Sequence, residues 1–221
     1  MDEIITRAMR ALASHPRLQM LSLLTQGEQT PTQLGKALRL SLCAVSRHLR
    51  VLVTANLITR RKSGGWCHYR AESPYHAPTF SGTLAAWLYD LLKPQPTRPA
   101  NHPGVAQVRD DAAEQEAALH RALFEAATAF SDLRRLQLLR YLGLQQSATA
   151  QDLEKALSLS PQALSRHMRK LARRGYVQTQ PAGRAVIYHL RQDAKTPIHR
   201  RLFEIVRAAW EQRSRTLSSP G

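Results

Sequence analysis

The chain has 221 residues, 32 Lys and Arg against 16 Asp and Glu, a formal net charge of +16 and a pI near 11.0. At 43% hydrophobic and 6% aromatic it can bury a core, which excludes a disordered basic tail, and its two cysteines cannot staple a secreted scaffold. No apolar run approaches the roughly 18 residues needed to cross a bilayer, and the Met1-Asp2-Glu3 start lacks the basic and apolar regions of a signal peptide. A cytoplasmic, nucleoid-associated protein with no membrane partner is expected. The charge excess points first to nucleic acid, and 26 of the basic residues are Arg, whose planar fork suits phosphates and base edges.

In chain order, Ile4, Ala8 and Leu12, with Ile5 and Met9 beside them, fall at helical spacing. Leu18, Leu21 and Leu24 predict a second helix. Thr30-Pro31, a cap followed by an N1 proline, starts a third that carries Leu34 and Leu38. Ser41 caps a fourth, with Leu42, Val45, Leu49 and Leu52 on one face. The turn signal Ser63-Gly64-Gly65 then precedes a period-2 stretch, with Cys67, Tyr69 and Ala71 on the inward side and Trp66, His68 and Arg70 on the other. That reads as a two-stranded hairpin. A helix from about Phe80 to Leu92 follows, with Leu84, Trp87, Leu88 and Leu91.

The order then repeats. Arg17 to Leu21 recurs as Arg135 to Leu139, 118 residues on; from Thr30/Thr149 to Ala71/Leu190 the offset is 119, with 15 identities in 42 positions. Chance would give about two or three, so the chain is a tandem duplication. Between the copies the four prolines of Lys93 to Gly104 predict an extended linker. The expected domains are residues 1–92 and 106–215, joined by a Pro-rich linker at 93–105, with the last helix of the second running from about Pro197 to Arg213.

Each copy is a helix, a tight turn, a second helix with a polar exposed face and a basic hairpin. The expected fold class is mainly α with small β-hairpin wings, as two tandem winged helix-turn-helix domains; in that motif the second helix enters the major groove and the wing meets the flanking backbone. From Arg39 to Arg70 there are seven basic residues and no acid, and from Lys155 to Gln192 eight and again none. Candidate DNA-facing residues are therefore Ser41, Ala44, Ser46, Arg47, His48 and Arg50 on the first helix, with Arg60, Arg61, Lys62 and Arg70 on its wing. In the second copy they are Ser160, Gln162, Ala163, Ser165, Arg166, Arg169, Lys170, Arg173 and Arg174, with Arg184 on the wing. Gln162 suits adenine; Arg166 and Arg169 suit guanine. Val45, Leu49, Leu52, Leu164, Met168 and Leu171 are expected in the core, His48 and His167 pack at the helix-turn-helix, and Trp66, Trp87, Tyr89, Phe203 and Trp210 are core or interface, with a ligand pocket among the outer helices as the alternative reading.

Ser41 to Leu52, Asn56-Leu57-Ile58, Arg60-Arg61-Lys62, Gly64 and Tyr69, with the opening Ser14-His15-Pro16-Arg17-Leu18, resemble the recognition helix and wing of ArsR-type bacterial transcription regulators. The resemblance implies double-stranded DNA binding, a repressor rather than an activator, and a two-fold arrangement that two fused copies could supply as a pseudo-dimer within one chain, with a further homodimer left open. It also implies an imperfect palindrome, because the copies differ. The family's metal-thiolate positions fall here on Thr30, Thr32 and Gly35, and on Thr149, Gln151 and Glu154, while Asp90 and His199 lack the partners of its other metal site, so no metal is expected. A small-molecule effector is left unspecified. Cys43, near a helix start and arginines, is the redox candidate; Cys67 aligns with Val186 as a small inward residue. With no phosphate-cradling Gly-rich loop, no His-Glu-x-x-His and no paired-cysteine spacing, neither catalysis nor a cofactor is expected. The reading from another class is an architectural or protein-interaction module with nonspecific DNA binding.

Overall fold

The computed structural model describes residues 1–94, 105–183, 185–191, 193 and 195–217, without the side chains of residues 105–111 and 213–217. The predicted linker residues 95–104 and the wing residue Arg184 lie outside the described residues. The first repeat holds α1 (Asp2–Leu12), α2 (His15–Gln26), α3 (Pro31–Leu38), α4 (Leu42–Thr54), the hairpin β1 (Thr59–Ser63) and β2 (Trp66–Arg70), and α5 (Phe80–Leu92). The second holds α6 (Val105–Phe130), α7 (Leu133–Gln145), β3 (Ser147–Thr149), α8 (Ala150–Leu157), α9 (Pro161–Arg173), β4 (Val177–Ala182), β5 (Ala185–Leu190) and α10 (Pro197–Leu217).

The helix starts follow from their caps. Thr30 and Gln33 close a capping box on α3, the Thr30 amide donating to Gln33 Oε1 at 2.7 Å, and Ser41 Oγ accepts from the Ala44 amide at 3.3 Å on α4. The repeat preserves this chemistry: Thr149 with Asp152 caps α8, and Ser160 accepts from Ala163 N at 3.3 Å on α9. Left-handed residues also recur in register, Arg39 with Ser158 at the end of α3 and α8, and Asn56 with Gly175 after α4 and α9. Each turn therefore closes through the backbone, Leu40 N donating to Gly35 O and Leu159 N to Glu154 O.

One strand was not foreseen. β3 pairs with β5, giving the second repeat a sheet ordered β3-β5-β4, with Ala148 opposite Tyr188. In the first repeat the same place holds a single bridge, Gln29 to Tyr69, at 2.9 Å in both directions. Pro181 is tolerated because β4 is an edge strand of that sheet.

The expected faces hold where burial is deepest. Val45, Leu49 and Leu52, and Leu164, Met168 and Leu171, are all at most 3% exposed. Five assignments are corrected. Ile4 and Leu42 face solvent, the buried side of α1 running instead through Ile5, Ala8, Met9, Ala11 and Leu12. Trp66 is 64% exposed at the wing tip, where no helix lies over the strand. Val186 is also exposed and Cys67 only half-buried, so this position belongs to the outer part of the wing rather than to a core. α10 extends to Leu217, beyond the expected Arg213.

The chain forms two compact units whose limits differ from the expected 1–92 and 106–215: one is Ser14–Phe124, the other Met1–Ala13 with Glu125–Gly221. Each repeat's body is thus completed by the opening helix of the other. In the first unit Ser22 Oγ and His120 Nε2 share a buried hydrogen bond of 2.8 Å, and His15 stacks on Phe124. In the second, Asp2 Oδ1 accepts from Trp210 Nε1 at 3.3 Å, Asp2 Oδ2 lies 3.7 Å from Arg140, and Arg10 Nε donates to Ser131 O. Asp2 and His120, Ser22 and Arg140, and Ile5 and Leu123 are all related by the repeat offset of 118. The two arrangements are the same contact made with different chemistry.

The second unit centres on Phe130, whose ring meets Tyr176 edge-on at 4.8 Å and lies 6.1 Å from Phe203. His199 sits against this cluster at 1% exposure; its Nδ1 bonds Thr196 Oγ1 at 2.8 Å and its Nε2 has no partner among the described residues. Burial, reinforced by Lys195, pulls the imidazole down from 6.5 to about 4. The unfolded chain takes up this proton near pH 6.5 and the folded chain only near 4. Stability is therefore complete above about pH 6.5 and declines as pH falls toward 4, by up to about 3 kcal/mol from this group. Urea unfolding at a series of pH values should show that decline, and His199→Asn should flatten it.

Candidate nucleic-acid interface

α4 and α9 are held by their buried apolar stripes, so the remaining faces are fixed outward. On α4, Ser46, Arg47 and Arg50 are exposed, Ala44 is half-buried, and His48 is partly covered beside Arg17. Burial first, then Arg17 and Arg47, lower the His48 pKa, so the imidazole is neutral at pH 7. On α9, Gln162, Ser165, Arg166, Arg169 and Arg173 are exposed and Ala163 and Lys170 half-buried. Arg169 Nη2 donates to Ser165 Oγ at 3.5 Å. Ser41 and Ser160 lie at the head of these surfaces, but their hydroxyls are engaged as helix caps.

The wings differ. β1 presents Arg60, Arg61 and Lys62, all exposed, and β2 ends in exposed Arg70 opposite Thr59. The corresponding strand β4 carries Thr179, Gln180 and Pro181 without charge, and His189 stands in place of Arg70. Charge in the second repeat is instead on the helix, where Val51, Thr54 and Ala55 are replaced by Lys170, Arg173 and Arg174.

Three acids outside the acid-free segments enter the picture in space. Glu28 Oε2 lies 3.3 Å from Arg61 Nη2 on the first wing. Asp132, the cap of α7, accepts from the amides of Arg134 and Arg135 and comes within 3.8 Å of His167 Nδ1. It forms one wall of a basin of about 350 Å³ whose other lining residues include Arg135, Arg166, Arg169 and Lys170. The first repeat has the uncharged Ser14 at the position of Asp132. Glu125 engages Arg174 at 3.5 Å together with Lys195. Arg174 therefore spends its charge within its own unit, and Lys170, half-covered, is pulled below its usual pKa by burial and then by Arg135 and Arg174.

Sequence spacing missed these contacts because each acid lies on a different segment from the basic residue it meets: Glu28 in the loop after α2, Asp132 at the cap of α7 and Glu125 on α6. Arg135 could have been singled out, since it matches Arg17 across the repeat. It holds the start of α7 to the end of α6, donating to Thr128 O at 2.9 Å and Ala129 O at 3.0 Å. Cys43 is exposed on the first turn of α4 and Cys67 half-buried on β2, both as free thiols. Among the described residues no helix is long and apolar enough to cross a membrane, and no cluster of three His, Cys, Asp or Glu is gathered for a metal.

Residues 15–60 match the family of bacterial regulatory proteins of arsR type, and residues 132–185 match the MarR family. The arsenical resistance operon repressor of Escherichia coli strain K12 is 37% identical over 89 residues, spanning 39% of this chain and 74% of that protein. Two structures of HlyU from Vibrio cholerae, one of the reduced protein, are 27% identical and cover 40% of this chain. They are matched over 91% and 88% of their own length, with TM-scores of 0.34 and 0.33. With its two winged helix-turn-helix units, this chain belongs to the ArsR family of bacterial regulatory proteins and is a DNA-binding transcription regulator.

Proposed function

We propose that the chain represses transcription by reading an imperfect two-fold site on double-stranded DNA with two non-identical winged helices. The observation that carries this is the pair of outward faces on α4 and α9, each held by a buried stripe and each exposing arginines between small polar residues. Ser46, Arg47 and Arg50, and Gln162, Ser165, Arg166 and Arg169, read base edges; Arg60, Arg61, Lys62, Arg70, Lys170 and Arg173 neutralise phosphates. Ser41 and Ser160 present helix N-termini rather than free hydroxyls, and Ala44 and Ala163 leave room for the bases. His48 and His167, held neutral by burial, seat the helices and can hydrogen-bond to a phosphate without adding charge.

A single chain then supplies both half-site readers as a pseudo-dimer, a reading supported by the reciprocal use of α1 and α6 in the two units. Repression is the activity named for the arsenical operon relative, and occupancy of an operator by a double-headed protein is its simplest route. Selection from a random DNA pool with the purified chain should enrich one imperfect palindrome, its half-sites about 10 bp apart centre to centre. Binding with a steep salt dependence but no enriched sequence would defeat specific reading in favour of an architectural role.

A further inference from the structure

The first unit contains a hollow that DNA reading does not use. It is about 270 Å³ in volume and lies between α5 and the segment leading into it from the wing. Its α5 side is lined by the small residues Ala85 and Ala86; its aromatic lining comes from Tyr75, His76 and Tyr89; Glu72 is the single acidic group among the lining residues. The hollow is preformed. A Cβ at Gly82 would lie 2.2 Å from the His76 backbone, so the segment rests directly on the helix, and Thr79 Oγ1 ties it down by donating to His76 O at 2.6 Å. Tyr89 is fixed by its hydroxyl, which donates to Leu57 O at 2.7 Å; burial and then Glu72 raise its pKa, so the ring remains a neutral phenol.

An aromatic-lined concavity with one carboxylate and no lysine or arginine is the complement of an organic cation carrying an apolar body. Aromatic rings attract the positive charge, the carboxylate fixes its position, and the alanines of α5 accept the hydrocarbon. The second repeat carries different residues in this place. Its wing-to-helix connection, Leu190 to Thr196, is two residues shorter than Ala71 to Thr79 and carries Arg191 and Lys195 in place of the aromatics. The aromatic and acidic lining is written into one repeat's sequence, as expected of a ligand site and not of the shared fold.

We propose that this hollow binds a small quaternary ammonium ion or protonated alkylamine with an apolar or arylalkyl body and that occupancy is felt at the first wing. Glu72 Oε2 accepts a hydrogen bond from Thr59 Oγ1 at 3.2 Å, and Thr59 is the first residue of β1, whose next three residues are Arg60, Arg61 and Lys62. A cation on Glu72 competes with Thr59 for that carboxylate and loosens the root of the wing. The binding half stands on the hollow alone; the regulatory half rests on the DNA reading above.

The probe is benzyltrimethylammonium, titrated to about 20 mM against the full chain at fixed ionic strength and followed by ligand-observed NMR, with benzyl alcohol as the neutral comparison. Saturable binding of the cation, weakened about tenfold or more by Glu72→Gln and abolished by Ala86→Leu, is expected, with Thr59→Val retaining it. Ala86 is exposed, so its replacement fills the hollow without entering the core. No saturable binding by the unaltered chain, or equal binding by Glu72→Gln and Ala86→Leu, overturns the site. In a parallel DNA titration the cation should lower affinity for the unaltered chain and not for Thr59→Val. Cation binding with no change in DNA affinity overturns the regulatory half alone, whereas absence of DNA binding in any variant overturns the function proposed above and leaves the site standing.

Discussion

Replacing Ile5 with alanine is expected to destabilise the unit formed by residues 125–217 by about 2–5 kcal/mol while leaving residues 14–124 protected. Ile5 is fully buried, as are Met9 and Leu12 beside it, and α1 is counted in the unit of the second repeat although it opens the first. Its two ends are fastened there, Asp2 to Trp210 and Arg140, Arg10 to Ser131. Removing three carbons at Ile5 leaves a cavity in a close-packed interior, which the surroundings fill only by shifting packed side chains. Hydrogen exchange read by mass spectrometry should show faster exchange in α7 and α10 and little change in α3 and α4. Leu123, the residue matched to Ile5 by the repeat, is equally buried and belongs to the unit of residues 14–124, so Leu123→Ala should produce the converse pattern. Loss of protection in α2 to α4 from Ile5→Ala would show that α1 serves its own repeat.

That helix marks the limit of what the chain's spacing reveals. The amphipathic stripe of α1 is local and readable, apart from which of two adjacent isoleucines lies inward. Its partner is decided by contacts more than a hundred residues away, which periodicity does not encode. The helix-turn-helix pairs are legible because their determinants are local, Thr30 and Ser41 with their matches Thr149 and Ser160 as caps and the Val45-Leu49-Leu52 stripe, although Leu42 at the start of that stripe faces solvent. β3 escaped notice because three residues, Ser147 to Thr149, are too few to show alternation, and their pairing depends on β5. Trp66 misled because an aromatic residue on a strand was read as covered, whereas a wing tip has no layer above it. At the candidate interface the basic residues were visible in the chain, but Glu28, Asp132 and Glu125 reach them from a loop, a helix cap and a neighbouring helix, so the acid-free segments are less free of acid in space than along the sequence.

Converting Arg60, Arg61 and Lys62 together to glutamine is expected to weaken DNA binding by about a hundredfold near 0.15 M salt and to lower the slope of log affinity against log salt by about two to three. Each phosphate neutralised releases close to one condensed counterion, so three lost contacts remove nearly three ions from the exchange. The three residues follow one another on β1 and are all exposed, whereas the matching stretch of the second wing, Thr179 to Pro181, has no charge to lose. Arg184→Gln, which removes the second wing's lone arginine, should cost about fivefold and one unit of slope or less. Within the triplet the shares are unequal. Arg61 must trade part of its interaction with Glu28 for a phosphate, so Arg61→Gln should cost less than Arg60→Gln, and Glu28→Gln should tighten binding by releasing Arg61. Titrations of these variants across a salt series distinguish the contributions. Equal losses from the triple change and from Arg184→Gln would mean that the two wings contribute alike, and the division between a wing-dependent first repeat and a helix-dependent second would fall.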